Sequence, residues 1–129
     1  MDEKLFIRDY LNRYNKSLFK TDVSDKIIKM KKILLEAKND GRKVMIAGNG
    51  GSAAMASHVA VDFTKQGKIR TINFNEPDLI TCFANDYGYE NWISKAIEFY
   101  GDKNDVVILI SSSGNSKNKV NAALAAKSL

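Results

Sequence analysis

The sequence contains few of the residues that covalently braced or metal-rich folds need: its 129 residues include one cysteine, one proline and one histidine. A single cysteine, Cys82, excludes an internal disulfide framework and fits a reducing cytoplasm. Because neither a histidine nor a CxxC partner lies near it, we expect Cys82 to be a small buried residue. The acidic N-terminus lacks the apolar segment of a signal peptide, and no apolar run approaches the ~20 residues that span a bilayer. We therefore expect a cytoplasmic protein that does not bind a membrane.

The charge pattern does not indicate nucleic-acid binding. The net charge is +5, but the lysines are scattered along the chain. Their densest group lies on one predicted helix and is interpreted as a solvated face: Lys26, Lys29, Lys31 and Lys32. Positive charge without interleaved aromatic residues or a reader motif is weak evidence for a nucleic-acid surface. A mildly basic balance also suits an anionic substrate.

The hydrophobic pattern predicts one α/β domain over residues 1–129, with a helical segment over 1–40 and a parallel α/β core over 41–129. Predicted helices cover Leu5–Leu18, Val23–Asn39, Ser52–Gln66, Asp78–Asn85, Asn91–Tyr100 and Ser116–Leu129; predicted strands cover Lys43–Ala47, Ile69–Phe74 and Val106–Ile110. The segment 78–85 is ambiguous between helix and strand, and Pro77 favours a short helix. Strands that are apolar throughout and alternate with helices indicate a parallel sheet covered on both faces, a three-layer α/β/α sandwich.

The third predicted strand is too apolar for an exposed sheet edge. If the chain stopped after the next helix, the segment Val106–Ile110 would lie at or near an unprotected edge, which is an aggregation hazard. We therefore expect the chain to be C-terminally truncated, with further strand–helix units missing from it.

Two loops of small polar residues each follow a predicted strand and lead into a predicted helix. The first is Gly48–Ser52 and the second is Ser111–Ser116. A strand, a small-residue turn and a helix N-terminus together present backbone N–H groups and the positive end of a helix dipole to an anion. Two such loops at the ends of parallel strands predict a site for a phosphorylated small molecule held at two points.

Other interpretations of the loops fit less well. Residues 48–53 match G-x-G-x-x-A, the dinucleotide-binding fingerprint, but its acidic ribose ligand could only be Glu76, which lies late. Neither loop has the Gly-Lys-Ser/Thr ending of a P-loop. In the second loop, Ser111, Ser113 and Ser116 offer hydroxyl donors to a phosphate. The alternative for this loop is a polar turn with Ser116 as the helix N-cap.

One helix carries a pair that could do chemistry. His58 and Asp62 are spaced i, i+4 and therefore share a face of the helix that follows the first loop. They could ligate a metal or share acid–base work. The alternative is a surface hydrogen-bonded pair.

Three motifs in order resemble the sugar isomerase (SIS) domain family, and within it the phosphoheptose isomerases. Gly48–Ala54 with His58 following looks like the family's first loop. Cys82–Glu90 is similar to its Asn-Asp-Tyr-Gly segment, and Ser111–Ser116 is similar to its Ser-Thr-Ser-Gly-Asn-Ser phosphate loop. The resemblance covers nearly the whole chain and implies a flavodoxin-like doubly wound sheet.

The resemblance implies a reaction and roles for individual residues. The reaction interconverts sedoheptulose 7-phosphate and D-glycero-D-manno-heptose 7-phosphate through an enediol, in heptose biosynthesis for a cell-surface polysaccharide. Substrate contacts are implied for Asn49, Gly50, Gly51 and Ser52 at the sugar, Asn85 and Asp86 at its hydroxyls, and Ser111, Ser112, Ser113 and Ser116 at the phosphate. His58 matches a ligand of zinc in the zinc-dependent members. Asp62 stands where the family has a glutamate that ligates zinc and acts as the base.

The chain departs from the family pattern in two ways that keep alternatives open. Asp62 is one methylene shorter than the family's glutamate, and a ~1 Å misplacement can cost about 100-fold in rate. The family's remaining zinc ligands, a glutamine and a histidine, lie in a C-terminal helix that this chain does not contain, so we expect part of the catalytic site to be missing. The alternative is a non-catalytic SIS protein that binds sugar phosphate or regulates a partner, as in the type that binds the bacterial replication initiator.

Family members assemble as homotetramers with sites at subunit interfaces, often through N-terminal helices. The first predicted helix is rather apolar for an exposed one, with Phe6, Tyr10, Tyr14, Leu18 and Phe19. This pattern agrees with a buried subunit interface.

Overall fold

A computed structural model describes residues 2–129, which form six helices and three strands. The helices are α1 (Glu3–Phe19), α2 (Ser24–Asn39), α3 (Gly51–Lys65), α4 (Pro77–Tyr87), α5 (Trp92–Tyr100) and α6 (Lys117–Ala126). The strands are β1 (Val44–Ala47), β2 (Thr71–Asn73) and β3 (Val106–Leu109). Every predicted helix and strand is present, with ends that differ by a few residues.

The ambiguous segment after β2 is helical, as predicted. Glu76 is in an extended conformation as the N-cap, and Pro77 occupies the first turn of α4. A proline suits that position because its φ is already helical and its missing N–H would have no partner inside the helix.

The three strands form a parallel sheet in the order β2-β1-β3. The register pairs Ile46 with Asn73 on one side of β1 and Ala47 with Leu109 on the other. All four residues of the central strand are buried, whereas the residues of β2 and β3 are half-buried. This order is that of the first three strands of a flavodoxin-like doubly wound sheet, which confirms the predicted fold class.

Helices cover both faces of the sheet, because successive residues of β1 point to opposite sides. Met45 and Ala47 pack with Trp92 and Ile97 of α5 and with Ala122 of α6. The other face of β1 forms two clusters, in which Val44 packs with Leu34 of α2 and Ile46 packs with Ala56 and Ala60 of α3. The result is the expected three-layer arrangement.

The chain divides into two compact units, one ending at Lys31 and the other running from Lys32 to Leu129. The boundary between these units lies inside α2, whose C-terminal half contributes Leu34 and Ala37 to the core. In the first unit, α1 buries none of its residues. No helix among residues 2–129 is both long and apolar enough to cross a membrane.

The prediction that Cys82 is buried was wrong, because its thiol is exposed on α4. The apolar stripe of this helix consists of Leu79, Ile80, Phe83 and Ala84, which pack against the core. Position 82 lies between these two pairs in the sequence. Because an α-helix has 3.6 residues per turn, position 82 lies on the side of the helix away from the core.

Candidate functional site

The two small-residue loops leave the same edge of the sheet from neighbouring strands. Ala47 and Leu109 are register partners at the ends of β1 and β3, and the N–H of Ile110 donates to the carbonyl of Ala47 at 2.9 Å. After the loops the chain turns to opposite faces, since α3 packs on the Ile46 side of the sheet and α6 on the Met45 side. This is a topological switch point, the place where open α/β sheets bind ligands.

The backbone of the first loop requires glycine at Gly48, because of a close approach, and at Gly50, because of its positive φ, and it leaves open space over Gly50 and Gly51. A Cβ on Gly48 would lie 2.4 Å from backbone atoms of Ser52, so no larger residue fits there. Gly50 has a φ of 53°, and a Cβ on Gly50 or Gly51 would meet no heavy atom within 4 Å. No side chain caps the N-terminus of α3. The N–H groups of Ser52, Ala53 and Ala54 bond to carbonyls of the loop itself, so the open space over Gly50 and Gly51 is the part of the loop that a ligand could approach.

Serine side chains brace the second loop. The N–H of Gly114 donates to Ser111 Oγ at 3.0 Å, and the N–H of Asn115 donates to Ser113 Oγ at 3.3 Å. Both hydroxyls act as acceptors in these bonds, so their protons stay free to donate. Ser116 is the N-cap residue of α6, but its side chain makes no capping bond. The backbone of the loop thus fixes the positions of Ser111 and Ser113, whose hydroxyl groups can donate to a ligand.

An amide pair joins the first loop to the helix that follows the second loop. Asn49 Nδ2 donates to Asn118 Oδ1 at 3.1 Å, and Asn118 Nδ2 donates to Asn49 Oδ1 at 3.0 Å. Asn118 lies in the first turn of α6 and is 2% exposed. No motif in the sequence predicted a role for this residue. The sequence feature that could have indicated it is a polar residue one helical turn before Ala122, on the face that α6 buries.

His58 and Asp62 lie together on the exposed face of α3. His58 Nε2 is 3.5 Å from Asp62 Oδ2, and the two side chains are 80% and 55% exposed. Met55 and Val61 are exposed on the same helix, at 53% and 57%. The expected pair is therefore formed. Apolar side chains of the same helix are exposed to solvent in the single chain.

His58 and Asp62 supply two metal ligands, which is fewer than a zinc site needs. Structural zinc is bound by four protein ligands and catalytic zinc by three. No group of three or more His, Cys, Asp or Glu side chains suited to a metal occurs within residues 2–129. His58 and Asp62 are the right ligand types, but the described residues do not complete the site.

Asn85 and Asp86 lie at the exposed C-terminal end of α4. Their side chains bond to each other at 2.9 Å, and Cys82 Sγ lies 3.7 Å from the Asp86 carboxylate. Neither side chain hydrogen-bonds to either loop within the described part of the chain. The segment after α4 is held against α6, because Asn121 Nδ2 donates to the carbonyl of Glu90 at 3.0 Å. The structure thus ties the first loop to the start of α6, while Asn85 and Asp86 remain predicted ligands.

Comparison with known proteins places the chain in a family. The family described as SIS domain matches residues 8–129. A phosphoheptose isomerase from Fusobacterium nucleatum is 45% identical over 92 residues, which cover 67% of this chain and 47% of that protein. One from Thermodesulfovibrio yellowstonii is 34% identical over 132 residues, covering 98% of this chain and 62% of the relative.

The fold is also similar to that of a solved structure. Phosphoheptose isomerase from Neisseria gonorrhoeae superposes with a TM-score of 0.86 at 28% identity, over 98% of this chain and 68% of that one. The chain spans about half to two thirds of the length of the curated relatives it matches. Since the family match covers nearly all of its sequence, the chain belongs to the SIS domain family.

Proposed function

We propose that the protein is a phosphoheptose isomerase, which interconverts sedoheptulose 7-phosphate and D-glycero-D-manno-heptose 7-phosphate. One observation carries the proposal: the glycine loop and the serine loop leave neighbouring strands at the switch point, and Asn49 of the first loop bonds to Asn118 at the start of α6. Similarity to phosphoheptose isomerases over most of this chain supports it.

The two loops would divide the substrate between them. The phosphate would take donors from Ser111, Ser112, Ser113 and Ser116 and from the N-terminus of α6. The sugar would lie across the open backbone of Gly50 and Gly51, where a Cβ meets no atom within 4 Å. Asn49 and Ser52 would bind sugar oxygens from this side, with Asn85 and Asp86 as further hydroxyl ligands.

Asp62 is the proposed base. Starting from the ketose, its carboxylate takes a proton from C1 while solvent water supplies one to the C2 oxygen, which forms the enediol. The protonated Asp62 carboxyl then returns a proton to C2 while the C1 oxygen releases its proton to solvent, which gives the aldose and regenerates the carboxylate. His58, 3.5 Å from Asp62, would hold the carboxylate in position and assist these proton transfers.

Zinc remains a proposed cofactor. If it binds, His58 and Asp62 would supply two ligands, and the others would come from residues outside this chain. Zinc would polarise the substrate oxygens and so favour loss of the adjacent proton.

The assembly and the location of the protein are proposals as well. The exposed Met55 and Val61 beside His58, and the exposed apolar residues of α1, support a homotetramer with sites at its interfaces. The single cysteine supports a cytoplasmic location. Heptose biosynthesis for a lipopolysaccharide or capsule would be the pathway.

The test is conversion of sedoheptulose 7-phosphate by the protein expressed from its whole reading frame, with and without zinc. His58→Ala and Asp62→Asn should abolish conversion, while Lys65→Ala, a change at an exposed residue of the same helix, should not affect it. Conversion that survives both substitutions would refute the assigned roles.

The shorter side chain of Asp62, where the family has a glutamate, favours one alternative, a SIS protein that binds sugar phosphate without isomerising it. In that case sedoheptulose 7-phosphate would raise the melting temperature of the whole protein but would not be converted.

A further inference from the structure

Lys119, in the first turn of α6, is a buried cation. It is 6% exposed, whereas Lys117 in the same turn is exposed. Within residues 2–129, no carboxylate forms an ion pair with Lys119 and no acceptor bonds its ammonium group. The side chain of Lys119 is thus packed against the protein, while its ammonium group has no protein partner.

The position of Lys119 is electrostatically unfavourable. It lies three residues after the N-cap residue Ser116, at the end of α6 where the helix dipole is positive. A cation there is repelled by the dipole, and no carboxylate offsets that repulsion. An anion bound beside the ammonium group would offset it.

A cavity of about 380 Å³ adjoins this side chain. Its walls include Lys119, Ser111 and Gly114 of the serine loop, and Lys127 from the last turn of the helical segment, with apolar residues between them. No acidic residue lines it. Among the described residues, the fully buried side-chain nitrogens without a hydrogen-bond partner are Arg42 Nε and Trp92 Nε1. The ammonium nitrogen of Lys119 is not one of them, so it remains accessible from the cavity.

We propose that Lys119 is a phosphate-binding residue, which pairs with the phosphate that the serine loop holds. This inference rests on the proposed function, because it assigns the charge partner of the substrate's phosphate. The serine hydroxyls and the backbone N–H groups set the geometry of the site, and Lys119 supplies the full positive charge that they lack. An ammonium group binds a phosphate as a mobile point charge, so it adds affinity without dictating orientation.

The test uses Lys119→Met, which keeps the length of the side chain and removes its charge, and Lys117→Met as the matched control. The melting temperature of each protein is measured with inorganic phosphate, with sedoheptulose 7-phosphate and with unphosphorylated sedoheptulose, at constant ionic strength. Lys119→Met should weaken binding of both phosphate ligands about tenfold to hundredfold, and Lys117→Met should change it by less than about threefold. Without phosphate, Lys119→Met should be as stable as the unsubstituted protein or more stable, because a cation is removed from the positive end of α6.

The outcomes separate this proposal from the proposed function. If phosphate stabilises Lys119→Met and the unsubstituted protein equally, the role of Lys119 is overturned. The proposed isomerase function would stand in that case. A protein that neither phosphate ligand stabilises would overturn both proposals. Loss of stability without phosphate, together with unchanged phosphate affinity, would mark Lys119 as a purely structural residue.

Discussion

Asn49 and Asn118 are 69 positions apart in the sequence and exchange two side-chain amide hydrogen bonds, at 3.1 and 3.0 Å. Each amide uses one donor and one acceptor in the pair, so its other donor and lone pair remain for a ligand or water. The pair ties the glycine loop to the first turn of α6. It therefore holds the glycine loop beside the helix that begins after the serine loop.

We expect Asn118→Ala to lower the free energy of unfolding by about 1–2 kcal/mol, since it removes two hydrogen bonds and leaves the Asn49 amide without its partner. It should also weaken sugar phosphate binding, because the glycine loop is no longer held to the start of α6. Denaturant unfolding and calorimetric titration measure the two effects.

Asn121→Ala is the matched control for this experiment. Asn121 also donates two hydrogen bonds from α6, to the carbonyl of Glu90 and to Asn91 Oδ1, but it touches neither loop. It should cost similar stability and leave ligand affinity unchanged. Equal losses of affinity in both variants would mean that the amide pair has no specific role in the site.

Two glycines of the first loop should respond oppositely to alanine. In Gly51→Ala the new Cβ meets no atom within 4 Å, so stability should be kept or rise by about 0.4–1 kcal/mol, while the methyl group blocks the proposed sugar site. In Gly48→Ala the Cβ would lie 2.4 Å from the backbone of Ser52, which should cost about 1–3 kcal/mol or prevent folding. Melting curves with and without sedoheptulose 7-phosphate distinguish these effects; tight binding by Gly51→Ala would contradict the placement of the sugar.

An ion pair joins the N-terminal ends of β1 and β3, away from the loops. Lys43 Nζ contacts the carboxylates of Asp102 and Asp105, and the Asp105 side chain is 2% exposed. Burial by itself would raise the pKa of Asp105. The hydrogen bonds from the Lys43 side chain and from the backbone N–H groups of Asp102 and Lys43 outweigh it and hold this pKa below its ordinary value. Burial likewise opposes the charge of Lys43, but its bonds to Asp102 and Asp105 raise its pKa.

This pair predicts the pH dependence of stability. A carboxyl with a lowered pKa stabilises the fold above its unfolded value of about 3.9, and the contribution is lost as the pH falls through the folded pKa. The contribution of Lys43 is complete below about pH 10.4 and is lost as the pH rises through its raised pKa. Asp105→Asn should therefore cost about 3 kcal/mol near pH 7, and the difference should shrink below about pH 4. A difference that stays constant down to pH 2 in denaturant titrations would contradict this origin.

The exposed apolar face of α1 predicts self-association. Tyr10 and Tyr14 are about half exposed, with ring centroids 5.8 Å apart. Tyr10→Glu combined with Tyr14→Glu should dissociate the whole protein into smaller species in analytical ultracentrifugation, because the charges cannot be buried at an interface. Asn12→Glu combined with Asn15→Glu adds the same charge to α1 at polar positions and should leave the assembly intact. A monomeric unsubstituted protein would refute the tetramer.

The fold was predictable because its signals are local. The apolar strands, the helical stripes and Pro77 at the start of α4 each act within a few residues, so they were recognisable along the chain. Cys82 was misplaced because its burial depended on which side of α4 meets the core. The residues assigned by family resemblance, such as His58 and Asp62, are now located in space but stay predictions for activity.

The sequence by itself determined the parallel α/β architecture and the two loops that follow β1 and β3, since strand, turn and helix formation depend on the order of neighbouring residues. Only the tertiary structure decided that Asn118 meets Asn49 and that Lys119, unlike Lys117, is buried beside Ser111. These relationships depend on strand order and on the rotation of α6 against the sheet. Packing between segments far apart in the chain sets both, and no local pattern encodes them.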